Sequence, residues 1–284
     1  MSGFAAEWLA LREHADHLAR NAALRDAVSA MLATNQHAMI VDLACGSGSN
    51  LRGLAPFLPA RQTWRLVDSD PLLLAAARGA LVAWADDIDC HDPLVLSKEG
   101  RRLEIHFVQV DLSTNLDAAL EGPIDLVTSA AFFDLVSRPW IELLCEALSR
   151  RALPLYSILT YSGEETWLPP HPADGAMLAA FHRHQQTDKG FGAAAGLWAA
   201  SILRPSLETR GYRVAVQPSP WRLGEADAKL IEALADGAAQ AAAETGAIDM
   251  ATIDDWRLAR RQAKCCEIGH LDLFAALPPS TGHI

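Results

Sequence analysis

A chain of 284 residues, half of them hydrophobic, is long enough to bury one sizeable core and reads as a single α/β domain. Its formal charge of −11 argues against nucleic-acid partners, whose binders gain affinity by matching the phosphate backbone with clustered Lys and Arg. No apolar run approaches the roughly 18 residues that would span a bilayer, and the N-terminus opens on Glu7, Arg12, Glu13 and Asp16, so a soluble, unexported protein with no membrane partner is expected.

The cysteines at 45, 90, 145, 265 and 266 are odd in number, form no CxxC pair and include neighbours too close for an ordinary bridge, which fits reduced thiols and a cytoplasmic location. The densest basic stretch, Arg257, Arg260, Arg261 and Lys264, shares helical spacing with Asp254 and Asp255 and reads as a solvated helix face. The sequence leaves the oligomeric state open.

Steps of three and four join Trp8, Leu11, Ala15, Leu18 and Ala22 into one stripe, which predicts an amphipathic lid or packing helix. Residues 38–43 form a short apolar run ending at Gly46-Ser47-Gly48 and read as a buried strand entering a glycine turn. A helix is expected over 49–58, stopped near Pro59, and then a strand over 63–67 ending on Asp68. Asp70-Pro71 supplies a cap and a first-turn proline for the helix that follows, to about residue 85. A charged connection leads to a third strand over 103–110, ending on Asp111, and a fourth over 124–128 follows the Gly122-Pro123 break. The fifth strand covers 155–161. Beyond it, Trp167-Leu168-Pro169-Pro170-His171-Pro172 reads as irregular, within an insertion. Helix is expected again over 193–210, strand over 212–216, one or two helices over 225–263 parted near Gly246, and a closing strand over 268–277.

Strands alternating with helices imply an open, mainly parallel seven-stranded sheet covered on both faces. Ligands of such sheets bind at the carboxyl ends of the strands, and Asp42, Asp68 and Asp111 lie at or near three of those ends. Gly46 and Gly48 let the backbone approach a ligand closely, and the helix behind them offers unpaired N–H groups. A pyrophosphate turn would read G-x-G-x-x-G, but Leu51 stands at the third glycine position, so NAD fits incompletely. Asp42 would repel a diphosphate yet support a cation, and S-adenosylmethionine carries a sulfonium and an ammonium. Asp68 can accept from vicinal ribose hydroxyls, a need that NAD shares. Asp111-Leu112 would set an acceptor for the adenine amino group beside an apolar side chain.

Val41-Asp42-Leu43-Ala44-Cys45-Gly46-Ser47-Gly48-Ser49-Asn50, then Leu66-Val67-Asp68, Val110-Asp111-Leu112 and Asp125-Leu126-Val127, resemble the ordered motifs of class I S-adenosylmethionine-dependent methyltransferases. The resemblance covers roughly residues 36–160, with Ala44 standing where the family has its first glycine. It implies a Rossmann-like fold with an N-terminal helix and helical insertions, and S-adenosylmethionine as cofactor. By resemblance, Gly46 and Gly48 pack on the methionine and ribose portion, Asp68 holds the ribose and Asp111 faces adenine. Asp42, Ala44, Cys45, Gly46, Gly48, Asn50, Asp68, Ser69, Asp111, Leu112, Ser129 and Arg12 are accordingly the candidate cofactor residues. For Arg12, which would take the methionine carboxylate, the plainer reading is an exposed partner for Asp16; Cys45 reads equally as packing, Asp70 as a helix cap and Asp125 as a surface acid at a strand start.

Residues 1–35 would then form a helical lid, 36–160 the cofactor-binding core, 161–192 a substrate cap, and 193–284 the C-terminal helices and closing strands. The fourth strand lacks the Asn-Pro-Pro-Tyr type of motif used on exocyclic amines of bases and reads Thr128-Ser129-Ala130-Ala131-Phe132-Phe133-Asp134-Leu135. Phe132 or Phe133 walls a pocket or lies in the core, and Asp134 reads as a helix cap before a base. In the cap, Asp174 can start a helix with Met177, Leu178 and Phe181 on one side, and further steps reach His184, Gln185, Asp188 and Lys189. A surface helix end gives the same pattern. The stretch 184–192 also resembles an uncharacterised bacterial branch of the family. Phe133, Tyr161, Gln185, Asp188 and Lys189 are the candidate substrate residues, and His184 the candidate base, since imidazole titrates near neutrality. A metal site on His171, His182, His184 and Asp188 is the sharper alternative for this stretch, but His182 and His184, two apart, point to different helix faces, so no metal is expected.

These readings favour a methyltransferase with a small-molecule acceptor. An RNA methyltransferase, a non-catalytic module that binds the methyl donor, and an NAD-dependent dehydrogenase stand as rivals.

Overall fold

The computed structural model describes residues 6–278. Two helices, α1 (Ala6–Ala19) and α2 (Ala22–Leu32), lead into β1 (Ala38–Leu43), α3 (Ser49–Leu54), β2 (Arg61–Asp68) and α4 (Pro71–Trp84). A hairpin of β3 (Asp87–His91) and β4 (Leu94–Lys98) precedes β5 (Arg101–Gln109), α5 (Leu116–Ala119), β6 (Leu126–Ala130) and α6 (Arg138–Arg150). The second half carries β7 (Leu155–Leu168), α7 (Asp174–Gln185), α8 (Ala199–Glu208), β8 (Arg213–Pro218), β9 (Trp221–Leu223), α9 (Ala228–Thr245), α10 (Met250–Arg261) and β10 (Cys265–Ala276).

Among the described residues the strands make one sheet in the order β3-β4-β5-β2-β1-β6-β7-β10-β8, with β9 paired to β10. Strands β5, β2, β1, β6 and β7 are parallel, and β10 runs antiparallel between β7 and β8. The chain moves outward from β1 to β2 and β5, then returns to β6 on the other side of β1. That reversal opens a crevice beyond the carboxyl end of β1, the place where open α/β sheets bind ligands.

Alternation along the strands fills both faces. Ile40, Trp64, Leu66 and Leu126 join one core cluster with residues of α2, α3, α4, α7, α9 and α10, and Val41, Leu43, Val67 and Val127 join the other with α5, α6 and α8. All seven expected strands form. So do the Asp70 cap, whose side chain accepts from the Leu72 N–H, and the break between α9 and α10 at Gly246, which sits in the left-handed region at φ +62°.

Five local expectations are corrected. The stretch read as a charged connection is the β3–β4 hairpin: Leu94 and Leu96 are buried, while the exposed Asp87 and Asp89 keep charge on the sheet edge. Trp167 and Leu168 continue β7, because β10 supplies partners as far as the Cys265–Leu168 pair, and the strand stops only at Pro169, which has no N–H to donate. The boundary expected at 160/161 therefore falls inside one continuous strand. The first helix ends at Ala19 and leaves Leu18 73% exposed, because Asn21 caps a second helix and its N–H is held by Asp272 Oδ2 at 2.8 Å. Asp174 lies inside α7 and accepts from the His171 N–H and from Trp256 Nε1, both at 2.8 Å, while the cap position is Ala173. The helix expected from residue 193 begins as a short 3-10 turn, Gly196–Trp198, before α8.

Candidate functional site

Strand parity sets the first half of the site. Asp42, Asp68 and Thr128 share parity with Ile40, Leu66 and Leu126 and so turn to the same face at the carboxyl ends of β1, β2 and β6. Asp42 is wholly buried. Its Oδ1 accepts from Asn50 Nδ2 at 2.8 Å, and its Oδ2 has no partner. Asn50 Nδ2 also donates to Thr128 Oγ1 at 3.1 Å, and Asn50 Oδ1 accepts from Arg20 Nη2 at 3.0 Å. Asn50 is therefore engaged in holding Asp42. Burial pushes the Asp42 carboxyl up to about 7, with Asp68 adding to the rise and the Asn50 hydrogen bond and Arg20 charge opposing it.

The turn after β1 needs left-handed backbone at Ala44, Gly46 and Gly48, with φ of +52°, +54° and +74°. A Cβ on Gly46 would stand 2.9 Å from Leu9 Cδ1, so α1 roofs this turn. Asp68 Oδ2 accepts from the Gly46 N–H at 2.9 Å and its Oδ1 from the Asp70 N–H at 3.0 Å. One carboxylate thus ties the glycine turn to the start of α4, and each oxygen keeps a second lone pair. Burial raises its pKa, against the pull of those N–H groups. The Cys45 N–H donates to the Val67 carbonyl at 2.9 Å, and burial pushes its thiol pKa well above the ordinary value, so Cys45 packs as an inert thiol.

The other expected cofactor residues are more scattered. Ser129 Oγ donates to the Leu43 carbonyl at 3.0 Å. Ser69 is exposed, and its carbonyl accepts from Gln109 Nε2 at 3.2 Å. Asp111 is exposed at the rim, where its Oδ1 accepts from the Ser113 N–H at 2.9 Å and Ser113 Oγ at 2.6 Å. Leu112 is buried in the opposite cluster, and its carbonyl accepts from Trp140 Nε1 at 2.7 Å. Arg12 is half-buried instead of exposed. Its Nε donates to Asp16 Oδ2 at 2.9 Å and its guanidinium lies 5.0 Å from the Trp221 ring centre.

A second polar group gathers farther along the crevice, beyond β6 and β7. Asp134 was expected as a helix cap, but Ser137 caps α6, and Asp134 is buried with its Oδ2 accepting from Gln185 Nε2 at 3.2 Å. Asp134 Oδ1 and Gln185 Oε1 have no partners of normal geometry. Burial pushes the Asp134 carboxyl up to about 6, opposed by its own N–H, the charge of Arg12, Gln185 and the Tyr161 N–H. Tyr161 is also buried, and its hydroxyl donates to Glu165 Oε1 at 2.9 Å and lies 3.1 Å from His182 Nε2. His270, on β10, packs 6.2 Å from the Tyr161 ring; burial, aided by the Arg12 charge, lowers its pKa to about 3.

Of the side chains in the expected cap, it is that of Gln185 that hydrogen-bonds Asp134. His184 turns to α9, where its Nε2 lies 2.8 Å from Glu244 Oε2, because adjacent helical positions differ by about 100°. Asp188 Oδ1 accepts from the N–H groups of Gly190 and Gly192, and Lys189 Nζ donates to Thr187 Oγ1, so both serve the exposed loop. Phe133 is fully buried, 6.5 Å from the Trp140 ring, and is core and no pocket wall. His171, His182 and His184 go to three different partners: Asp255, Tyr161 and Glu244. Sequence reading missed Arg20 and His270, and weighed Asp134 as a base only behind a helix cap. For Arg20 a signal exists, since Arg12 and Asp16 on α1 and Arg20 just past its end recur at four-residue steps and form one polar row that turns inward.

No protein-family model and no curated protein matches this chain. Among solved structures it is similar to a cyclopropane-fatty-acyl-phospholipid synthase-like protein from Lactobacillus casei, at 14% identity and a TM-score of 0.51 over 93% of this chain and 91% of that one. It is similar to the YcgJ protein of Bacillus subtilis at 9% identity and a TM-score of 0.50, over 92% and 100%. A SAM-dependent methyltransferase from Thiobacillus denitrificans in complex with S-adenosyl-L-homocysteine matches at 16% identity and a TM-score of 0.45, over 93% and 94%. At these identities the likeness is one of fold alone, an open and mainly parallel α/β sheet covered on both faces. No helix among the described residues is long and apolar enough to cross a membrane.

Proposed function

We propose that this protein is an S-adenosylmethionine-dependent methyltransferase that acts on a small-molecule acceptor. The observation that carries the proposal is the pair of carboxylates at the ends of β1 and β2. Asp42 is wholly buried with one unpartnered oxygen, Asp68 adds to the rise of its pKa, and both flank a left-handed glycine turn. Two acids in so enclosed a place disfavour a pyrophosphate and favour a ligand that carries positive charge and ribose hydroxyls. The residues present fit the donor on that ground. Asp68 would hold the ribose, Asp42 would face the cationic end, Gly46 and Gly48 would let the backbone approach, and Arg12, Ser69, Ser129 and Asp111 would border them.

When bound, the donor supplies an electrophilic methyl group on a sulfonium. The chain's own work is then alignment and exclusion of water, since displacement at a methyl carbon requires no covalent enzyme intermediate. Leu9 of α1 covers the glycine turn, and Asn50, held by Arg20, fixes the Asp42 carboxyl. The net charge of −11 favours a small acceptor over RNA. Calorimetry with S-adenosylmethionine, S-adenosylhomocysteine and NAD tests the reading. Micromolar binding of both sulfur nucleosides and no heat from NAD is expected; NAD binding without a response to either nucleoside refutes it.

A further inference from the structure

The cluster beyond β6 and β7 shares no hydrogen bond with the Asp42–Asn50–Arg20 chain. Asp134 and Gln185 are each 8% exposed, joined by one hydrogen bond at 3.2 Å, and each keeps an acceptor oxygen without a partner. Buried acceptors left unpaired are costly and call for donors. Two neighbouring acceptors call for two hydrogens, which an alcohol does not have and a primary amine does. The nearby Arg12 guanidinium is already paired with Asp16, and the His270 ring is held neutral, so neither is left over as a cation to pair with Asp134. Tyr161 and Phe181, with ring centres 5.8 Å apart, set an aromatic wall beside it.

We propose that Asp134 and Gln185 form the acceptor-binding end of the site and select a primary amine, with Asp134 taking the proton that methylation displaces. The nitrogen lone pair forms the bond to the methyl carbon, the carbon–sulfur pair returns to sulfur, and one N–H proton passes to Asp134 Oδ1 and on to solvent. The chemistry rests on the methyl-transfer reading; the binding preference does not.

The test uses the full chain, isotopically labelled, with benzylamine, benzyl alcohol and benzoate as probes, followed by NMR at the Asp134 carboxyl carbon and the Gln185 side-chain amide. Benzylamine should shift both signals saturably and bind roughly ten-fold tighter than benzyl alcohol, the worth of one charge-assisted hydrogen bond. Asp134→Asn, which keeps shape and loses charge, should abolish that preference while S-adenosylhomocysteine affinity stays within about three-fold. Gln185→Met, which leaves the carboxylate in place, should weaken the amine by roughly five-fold. Equal binding of the three probes, no binding of benzylamine, or an amine preference that survives both substitutions overturns the proposal, as does loss of S-adenosylhomocysteine binding in Asp134→Asn. If the unmodified protein selects benzylamine at these two residues yet ignores S-adenosylhomocysteine, the amine preference stands and the methyltransferase reading falls.

Discussion

Replacing Asp68 with alanine separates the two tasks that its carboxylate performs. In the folded chain it accepts from the Gly46 and Asp70 N–H groups at 2.9 and 3.0 Å, and in the complex it would also accept from the ribose hydroxyls. Hydrogen bonds to a charged acceptor are worth about 1.5 to 3 kcal/mol, so losing the ribose contacts should weaken S-adenosylhomocysteine by roughly ten- to a hundred-fold. The structural loss should be smaller. Gly46 is half-buried and Asp68 is itself costly to ionise where it sits, so water can replace part of what the carboxylate gave; about 1 to 2 kcal/mol of stability should go, a fall in Tm of roughly 2 to 8 °C for a chain of this size. Calorimetric titration and a thermal melt on the same sample read both numbers. A dissociation constant within about two-fold of the parent, with the melt lowered, would show that Asp68 only braces the turn.

Asp42 binds its proton more tightly in the folded protein than in the unfolded chain, so the stability it contributes is full at low pH and lost as pH rises through about 7. Asp42→Asn should therefore gain on the parent above neutrality, by up to about 4 kcal/mol, and denaturant melts across pH that run parallel for the two proteins would contradict this. In the same window S-adenosylmethionine should bind the parent more tightly as pH rises and the variant indifferently, measured by titration on either side of neutrality. Asp174→Ala strands Arg260, which is 1% exposed, along with the Trp256 indole N–H, and should cost about 3 kcal/mol in a urea melt; a loss below about 1 kcal/mol would mean that Pro169 alone satisfies the arginine. His184→Ala should leave methyl transfer from labelled donor into a metabolite extract within about two-fold, and a drop beyond about ten-fold would restore His184 as the base in spite of its pairing with Glu244.

The half of the site around the glycine turn was legible because it is local. Strand, turn and helix follow one another within residues 38–54, and each acid sits where its own strand ends, so spacing alone places Asp42 and Asp68 together. Missing from that reading was Arg20, which continues the row of Arg12 and Asp16 just past the end of α1; the polar steps were present in the sequence, but an amphipathic helix is ordinarily taken to bury its apolar stripe. Elsewhere the errors have separate causes. The β3–β4 hairpin hid among charged residues because an edge strand keeps charge on its outer side, and the extension of β7 depended on a partner more than ninety residues later, in β10.

The group around Asp134 was illegible for a different reason: no two of Arg12, Asp134, Tyr161, Gln185 and His270 lie within one element. Each looks ordinary where it stands, as a surface arginine, a helix cap, a strand-end tyrosine, a helix-end glutamine and a histidine in a closing strand. What joins them is the antiparallel return of β10 beside β7, which places His270 opposite Tyr161, and the turn of α7 that gives Gln185 to Asp134 and His184 to α9. Side chains on neighbouring positions of one helix then divide by about 100° of rotation into a buried pair and a rim pair, and a sequence stripe with a width of two residues cannot tell them apart. The same geometry explains why donor and acceptor halves should respond independently: the Asp42–Asn50–Arg20 chain and the Asp134–Gln185 pair share no hydrogen bond, so a substitution in one leaves the other's partners in place.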